Sequence, residues 1–72
     1  MLINKSEIIS RFVEERRKIC TQQQLADIIG INPKNISAIE TCKINPSFET
    51  FISMCVAINA DVNYIIYGNK EK

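Results

Sequence analysis

The segment TQQQLADIIGINPKNISAIE, residues 21–40, constrains the fold more than any other part of this 72-residue chain. Thr21 has a hydroxyl that can cap a helix, and Gly30 is suited to ending that helix. Asn32 can cap a second helix that begins at Pro33, where the missing N–H costs nothing because that group has no intrahelical partner. The pattern therefore predicts two short helices joined by a tight turn.

The apolar residues of this segment predict which side of each helix faces the core. The inner side of the first helix is expected to consist of Leu25, Ala26, Ile28 and Ile29. Ile31 fills the turn, and Ile36 with Ile39 anchors the second helix. Only short or polar side chains remain for the outer side of the second helix: Pro33, Lys34, Asn35, Ser37 and Ala38. Such a helix suits insertion into the major groove of DNA.

Residues from about 8 to 68 resemble the Cro/CI (XRE-type) helix-turn-helix family of phage and bacterial transcriptional regulators. The resemblance rests on the short sequence motifs T-Q-Q-Q-L-A, G-I, I-S-A-I-E and K-I-N-P-S, which begin at residues 21, 30, 36 and 43. It implies an all-α fold, a compact five-helix, lambda-repressor-like DNA-binding domain. We expect residues 1–72 to form this single domain, with the helix-turn-helix core at 21–40 and a fraying tail at 69–72.

Start and stop signals predict three further helices. The first runs from about Lys5 to Lys18, capped by either Asn4 or Ser6, and its apolar stripe consists of Ile8, Ile9, Phe12 and Val13. The fourth follows the cap Ser47 as far as about residue 58, with Phe51, Met54, Cys55 and Ile58 facing the core. The fifth, about residues 61–67, is capped by Asp61, is ended by Gly68, and is apolar nearly all round.

The amino-acid composition limits the kinds of functional site that the chain can form. The chain has no histidine and three cysteines without CxxC spacing, so it offers no metal site, no cofactor site and no catalytic constellation; we expect it not to be an enzyme. Cys20 and Cys55 are interpreted as small buried residues, and Cys42 is expected near the surface. The net charge is only +1, so tight DNA binding would need two subunits. Residues 16–18, Arg-Arg-Lys, either form a solvated helix end or contact phosphates.

The resemblance implies roles for individual residues. Those facing base edges are Pro33, Lys34, Asn35 and Ala38, and those near DNA phosphates are Gln22, Gln23, Ser37, Thr41, Lys43 and Asn45. The dimer contact falls on Tyr64, Ile65 and Tyr67. In the family, the glutamate equivalent to Glu40 pairs with an arginine of the first helix, a position for which Arg16 is the candidate here. Cys42 replaces a residue that is commonly glycine in relatives, so a different turn is expected there.

The function that the resemblance implies is a sequence-specific, cytoplasmic transcriptional regulator. It would bind double-stranded DNA at a palindromic operator as a homodimer, act as a repressor, and need no small-molecule ligand and no membrane. The alternative is a protein-interaction module, such as an antitoxin or an adaptor, with secondary DNA binding. The near-neutral charge and the apolar Pro33 and Ala38 keep this alternative open.

Overall fold

Residues 4–68 are described by a computed structural model of the chain. Within this range five helices follow one another and no strand occurs: α1 (Lys5–Ile19), α2 (Gln22–Ile29), α3 (Pro33–Glu40), α4 (Phe48–Ala57) and α5 (Val62–Tyr67). The predicted all-α, five-helix fold is confirmed. No helix in the described part of the chain has the length and apolar character required to traverse a bilayer. The predicted tail, residues 69–72, lies outside the described residues.

Each helix begins at a side-chain cap, as the sequence predicts. Thr21 accepts a hydrogen bond from the backbone N–H of Gln24 at 3.1 Å, and the Gln24 side chain accepts from the Thr21 N–H at 2.9 Å. This reciprocal capping box satisfies donors that have no partner inside the helix. Asn4 accepts from the Glu7 N–H, so Asn4, and not Ser6, caps α1. Asn32, Ser47 and Asp61 cap the remaining helices.

One hydrophobic core draws on every helix. Its buried residues are Ile9, Phe12, Leu25, Ala26, Ile36, Ile39, Met54, Cys55, Ile58 and Ile65. Phe12 of α1 lies against Phe51 of α4, with ring centroids 6.4 Å apart. Because α3 supplies only Ile36 and Ile39 to this core, its other side chains are left outside.

The predicted burial of Ile28 and Cys20 differs from the structure. Ile28, predicted to face inward, is 61% exposed. At about 100° per residue, Ile28 lies roughly a quarter turn away from the direction shared by Leu25, Ala26 and Ile29, so it misses the core. Cys20, interpreted from the sequence as a small buried residue, is the C-cap of α1 and is only half-buried against the core.

The turn after α3 also differs from the sequence prediction. Cys42 adopts a left-handed φ of 62°, the conformation that glycine most often supplies. The N–H of Lys43 donates to the Ala38 carbonyl at 2.8 Å, and the N–H of Cys42 donates to the Ile39 carbonyl at 3.0 Å. These two bonds form a Schellman motif, so the left-handed turn is present despite the cysteine side chain. Cys42 is half-buried: it packs against the core and also lines a surface cleft, so the prediction that it lies near the surface is not contradicted.

Arg11 fastens α5 to α1. Its Nε donates to the carbonyl of Ile65 at 2.8 Å, and its Nη2 donates to the carbonyl of Ile66 at 2.9 Å. The last carbonyls of a helix have no intrahelical partners, and a cation is favourable at that end of the helix dipole. The guanidinium therefore completes the C-terminal end of α5 and sets its position on α1.

Candidate nucleic-acid interface

The outer surface of α3 is formed by short or polar side chains over an apolar base. Ile36 and Ile39 are 0% and 2% exposed and hold the helix to the core. Lys34 and Asn35 are exposed, whereas Pro33, Ser37 and Ala38 are half-buried. Neither Lys34 nor Asn35 has a side-chain partner within residues 4–68, so both can bind a ligand without breaking an internal contact. This is the surface that the sequence predicts to face base edges.

Gln22 and Gln23, both predicted to contact phosphate, have different surroundings. Gln22 is the first residue of α2 and is half-buried, and its Nε2 donates to Oε1 of Glu40 at 2.8 Å. Gln23 is exposed, and its Nε2 donates to Oδ1 of Asp27 one turn along the same helix, at 3.0 Å. Gln22 is therefore tied to the end of α3, whereas Gln23 is tied only to its own helix.

Arg16 and Glu40 form a buried, bidentate ion pair. Arg16 Nε donates to Glu40 Oε2 at 2.8 Å, and Arg16 Nη2 donates to Glu40 Oε1 at 2.7 Å. Arg16 Nη1 also donates to the carbonyl of Cys20 at 3.0 Å. The pKa of Arg16 is raised, chiefly by its hydrogen bonds to Glu40, even though burial opposes the charge. The pairing of Glu40 with a first-helix arginine is confirmed, and Arg16 is removed from the candidates for phosphate contact.

The other two residues of the basic run have separate environments. Lys18 pairs with Glu15 at 3.1 Å on the surface of α1, and this hydrogen bond raises the pKa of Lys18. Lys18 therefore fits the interpretation of a solvated helix end. Arg17 is exposed and has no ion-pair partner within the described residues. It lines a cleft of about 560 Å³ that Glu40 and Thr41 also line, so Arg17 and the C-terminal end of α3 border the same cleft.

The loop between α3 and α4 carries the remaining predicted phosphate contacts. The Thr41 hydroxyl donates to the carbonyl of Ser37 at 2.9 Å, so its proton is used within the protein. Lys43 is exposed and has no ion-pair partner among residues 4–68. Asn45 Oδ1 accepts from Lys5 Nζ at 2.6 Å. Lys5 thus adds a cation beside this loop, a contact between residues 40 apart that no local sequence pattern indicates.

The three predicted dimer residues lie in different places. Ile65 is fully buried in the core of its own subunit, so the prediction that it faces a partner is wrong. Tyr67 is 59% exposed. Tyr64 is half-buried, and its hydroxyl donates to Glu14 Oε1 at 3.3 Å. Of the three predicted residues, the two tyrosines therefore remain as candidates for the dimer contact.

An apolar groove lies between α1, the start of α4 and α5. It has a volume of about 310 Å³, and its apolar lining includes Ile8, Pro46, Phe48, Phe51 and Ile66. Phe48 is 82% exposed, which is unusual for so large an apolar side chain.

No group of three histidine, cysteine, aspartate or glutamate side chains within residues 4–68 is arranged to hold a metal ion.

Two short helices joined at Gly30, with the second held from beneath and polar on its outer side, define a helix-turn-helix domain. A sequence model described as helix-turn-helix matches residues 13–65, which include α2, α3 and α4 entirely. The chain therefore belongs to the XRE/Cro-CI-type helix-turn-helix family of DNA-binding regulators. Neither the curated proteins nor the solved structures that were searched gave a match to the chain.

Proposed function

We propose that this protein is a sequence-specific transcriptional repressor that binds a palindromic operator as a homodimer. The observation that carries the proposal is the outer surface of α3, where Lys34 and Asn35 are exposed and without side-chain partners above the buried Ile36 and Ile39. In a two-fold dimer, two such helices would enter successive major grooves about 34 Å apart. Occupation of the site would block RNA polymerase. Residues 1–72 would act as one domain.

In this proposal Lys34 is the principal reader of sequence. Its ammonium can donate to the O6 and N7 acceptors of guanine, whereas Asn35 can bond adenine. Pro33 and Ala38 offer apolar surface that suits a thymine methyl group. Because these hydrogen-bonding contacts are few, DNA shape and deformability would supply a substantial share of the specificity.

The phosphate contacts would hold the domain in register on the duplex. The proposed contacts are Gln22, Gln23, Ser37, Thr41, Lys43 and Asn45. The exposure of Arg17 and its place in the cleft that Thr41 also lines support adding it to them. Such contacts fix orientation without reading sequence. Tyr64 and Tyr67 would form the dimer contact on the exposed side of α5.

Substitutions of Lys34 and Gln22 separate the two kinds of contact. Lys34→Ala should reduce the sequence preference at one base pair of each half-site by about 1 to 3 kcal/mol. Gln22→Ala should instead weaken binding to all duplexes by the same factor. The measurement is equilibrium binding to the selected site and to a set of single-base variants of it. Lys18→Ala, which removes the same charge from α1, is the control. If neither Lys34→Ala nor Gln22→Ala changed binding, the proposed docking of α3 would be wrong.

The exposed Phe48 and its apolar groove favour a second candidate function, a protein-interaction module such as an antitoxin or an adaptor. In that case the groove would hold a protein partner and DNA binding would be secondary. A selection of duplexes that yields no enriched motif at moderate salt would favour this candidate. An enriched palindrome whose binding survives Phe48→Ser would favour the repressor.

A further inference from the structure

Three helices meet at the carboxylate of Glu40. Arg16 of α1 donates to both of its oxygens, at 2.8 and 2.7 Å, and Gln22 of α2 donates to Oε1 at 2.8 Å. The side chains of Arg16 and Glu40 are only 8% and 5% exposed. The carboxylate at the end of α3 is therefore held firmly on one side and binds a predicted phosphate-contacting residue on the other.

The chemistry of this contact fixes the orientation of the Gln22 amide. An ionised carboxylate can only accept hydrogen bonds, so the amide nitrogen, and not the amide oxygen, must face Glu40. That nitrogen carries two hydrogens, and Glu40 Oε1 takes one of them. A DNA phosphate oxygen also only accepts. The second hydrogen of the same nitrogen is then the group that can bind a phosphate, at the positive end of the α2 dipole.

We propose that Glu40, held by Arg16, is a positioning residue that fixes the Gln22 amide in the orientation required to donate to a DNA phosphate. This inference rests on the proposed DNA-binding function and assigns a second role to the ion pair beyond joining α1 to α3. Without Glu40, the long Gln22 side chain would have to be ordered when DNA binds. Immobilising such a side chain on binding lowers affinity by about two- to tenfold.

The test measures the contact between Gln22 and one phosphate. A neutral methylphosphonate replaces one phosphate of the bound duplex at a time. The Gln22 phosphate is the position at which the wild-type protein distinguishes phosphate from methylphosphonate but Gln22→Ala binds both duplexes equally well. There the wild-type protein should lose about tenfold or more in affinity, since a hydrogen bond to a charged group is lost. Lys18→Ala, which lies outside the proposed DNA contacts, is the control and should retain the full difference in affinity between phosphate and methylphosphonate at that position.

Removal of Glu40 alone would leave Arg16 as a buried, unpaired charge and could unfold the domain. The variant of choice is therefore the double substitution Arg16→Met/Glu40→Leu, because replacing a buried ion pair by apolar residues of similar volume is often tolerated. Its folding is checked by circular dichroism and thermal unfolding. We expect the double variant to bind DNA with lower affinity and to lose most of the discrimination at the Gln22 phosphate.

The side-chain amide of Gln22 provides a readout that needs no DNA. In the free protein its NMR signal should indicate an ordered side chain, more rigid than that of the exposed Gln23, and the double variant should abolish the difference. A Gln22 amide as mobile as that of Gln23 in the wild-type protein would overturn the inference. So would unchanged discrimination in a folded double variant. Failure of the wild-type protein to bind any duplex would overturn the proposed function together with the phosphate role.

Discussion

Cys42 shows how one residue can be forced into a conformation that it does not favour. Its φ of 62° is left-handed, and a β-branched residue is worse there than cysteine because two groups on Cβ crowd the backbone. We expect Cys42→Val to lower the free energy of unfolding by more than about 1 kcal/mol. Cys20→Val is the control, since Cys20 is also half-buried against the core but has an extended φ of −162°. Urea unfolding that gave equal losses for both variants would contradict this.

The buried thiol of Cys55 is expected to make the stability of the protein vary with pH in the alkaline range. Burial raises the pKa of its thiol from 9.0 to about 11. Between these values the unfolded chain loses the thiol proton while the folded protein keeps it, so stability falls as pH rises through this window. We expect Cys55 to contribute a loss of roughly 1 to 2 kcal/mol by pH 11. Unfolding free energies measured from pH 8 to 11 should fall less steeply in Cys55→Ala. Parallel curves would contradict the account.

Local features at the residue scale could be read from the sequence, and long-range ones could not. The caps Thr21 and Asn32 were predictable because their bonds reach only two or three residues along the chain. The contact of Gln22 with Glu40 spans 18 residues, and whether the two meet depends on how α2 and α3 pack. Ile28 was assigned to the core because apolar spacing indicates an inner side without defining how wide it is.

At the element scale, α5 depends on Arg11. The two hydrogen bonds from its guanidinium to the carbonyls of Ile65 and Ile66 join a six-residue helix to α1. We expect Arg11→Met to speed hydrogen exchange of the α5 amides by about tenfold or more, because helix opening no longer breaks those bonds. Arg17→Met, which removes an exposed arginine of α1, is the control. Unchanged exchange in Arg11→Met would show that apolar packing alone holds α5.

Element boundaries were predicted more closely than element orientation. The predicted bounds of α3 and α5 agree with the structure because caps, Pro33 and Gly68 fix them locally. Which side of α5 faces inward could not be predicted, since nearly every residue of VNYIIY is apolar. Arg11 and the core decide the matter by burying Ile65 and leaving Tyr67 outside. The surface proposed for the dimer is correspondingly smaller than the sequence suggests.

At the scale of the whole molecule, the distribution of charge matters more than its sum. The net charge is +1, yet Arg17, Lys34 and Lys43 have no ion-pair partner within residues 4–68. Arg16 and Lys18, by contrast, are neutralised by Glu40 and Glu15. With Lys5, whose ammonium bonds only the neutral Asn45 side chain, the described residues hold four cations outside ion pairs. Four are few for tight binding by one subunit, which is consistent with binding as a dimer.

The most direct test of the central claim is selection of bound sequences from a random duplex pool, followed by salt titration of the selected duplex. The account predicts a palindromic motif with half-sites about one helical turn apart. If each subunit neutralises three phosphates, a plot of the logarithm of the association constant against the logarithm of the salt concentration should have a slope of about −5. Absence of any enriched motif at moderate salt would contradict sequence-specific DNA binding by this domain.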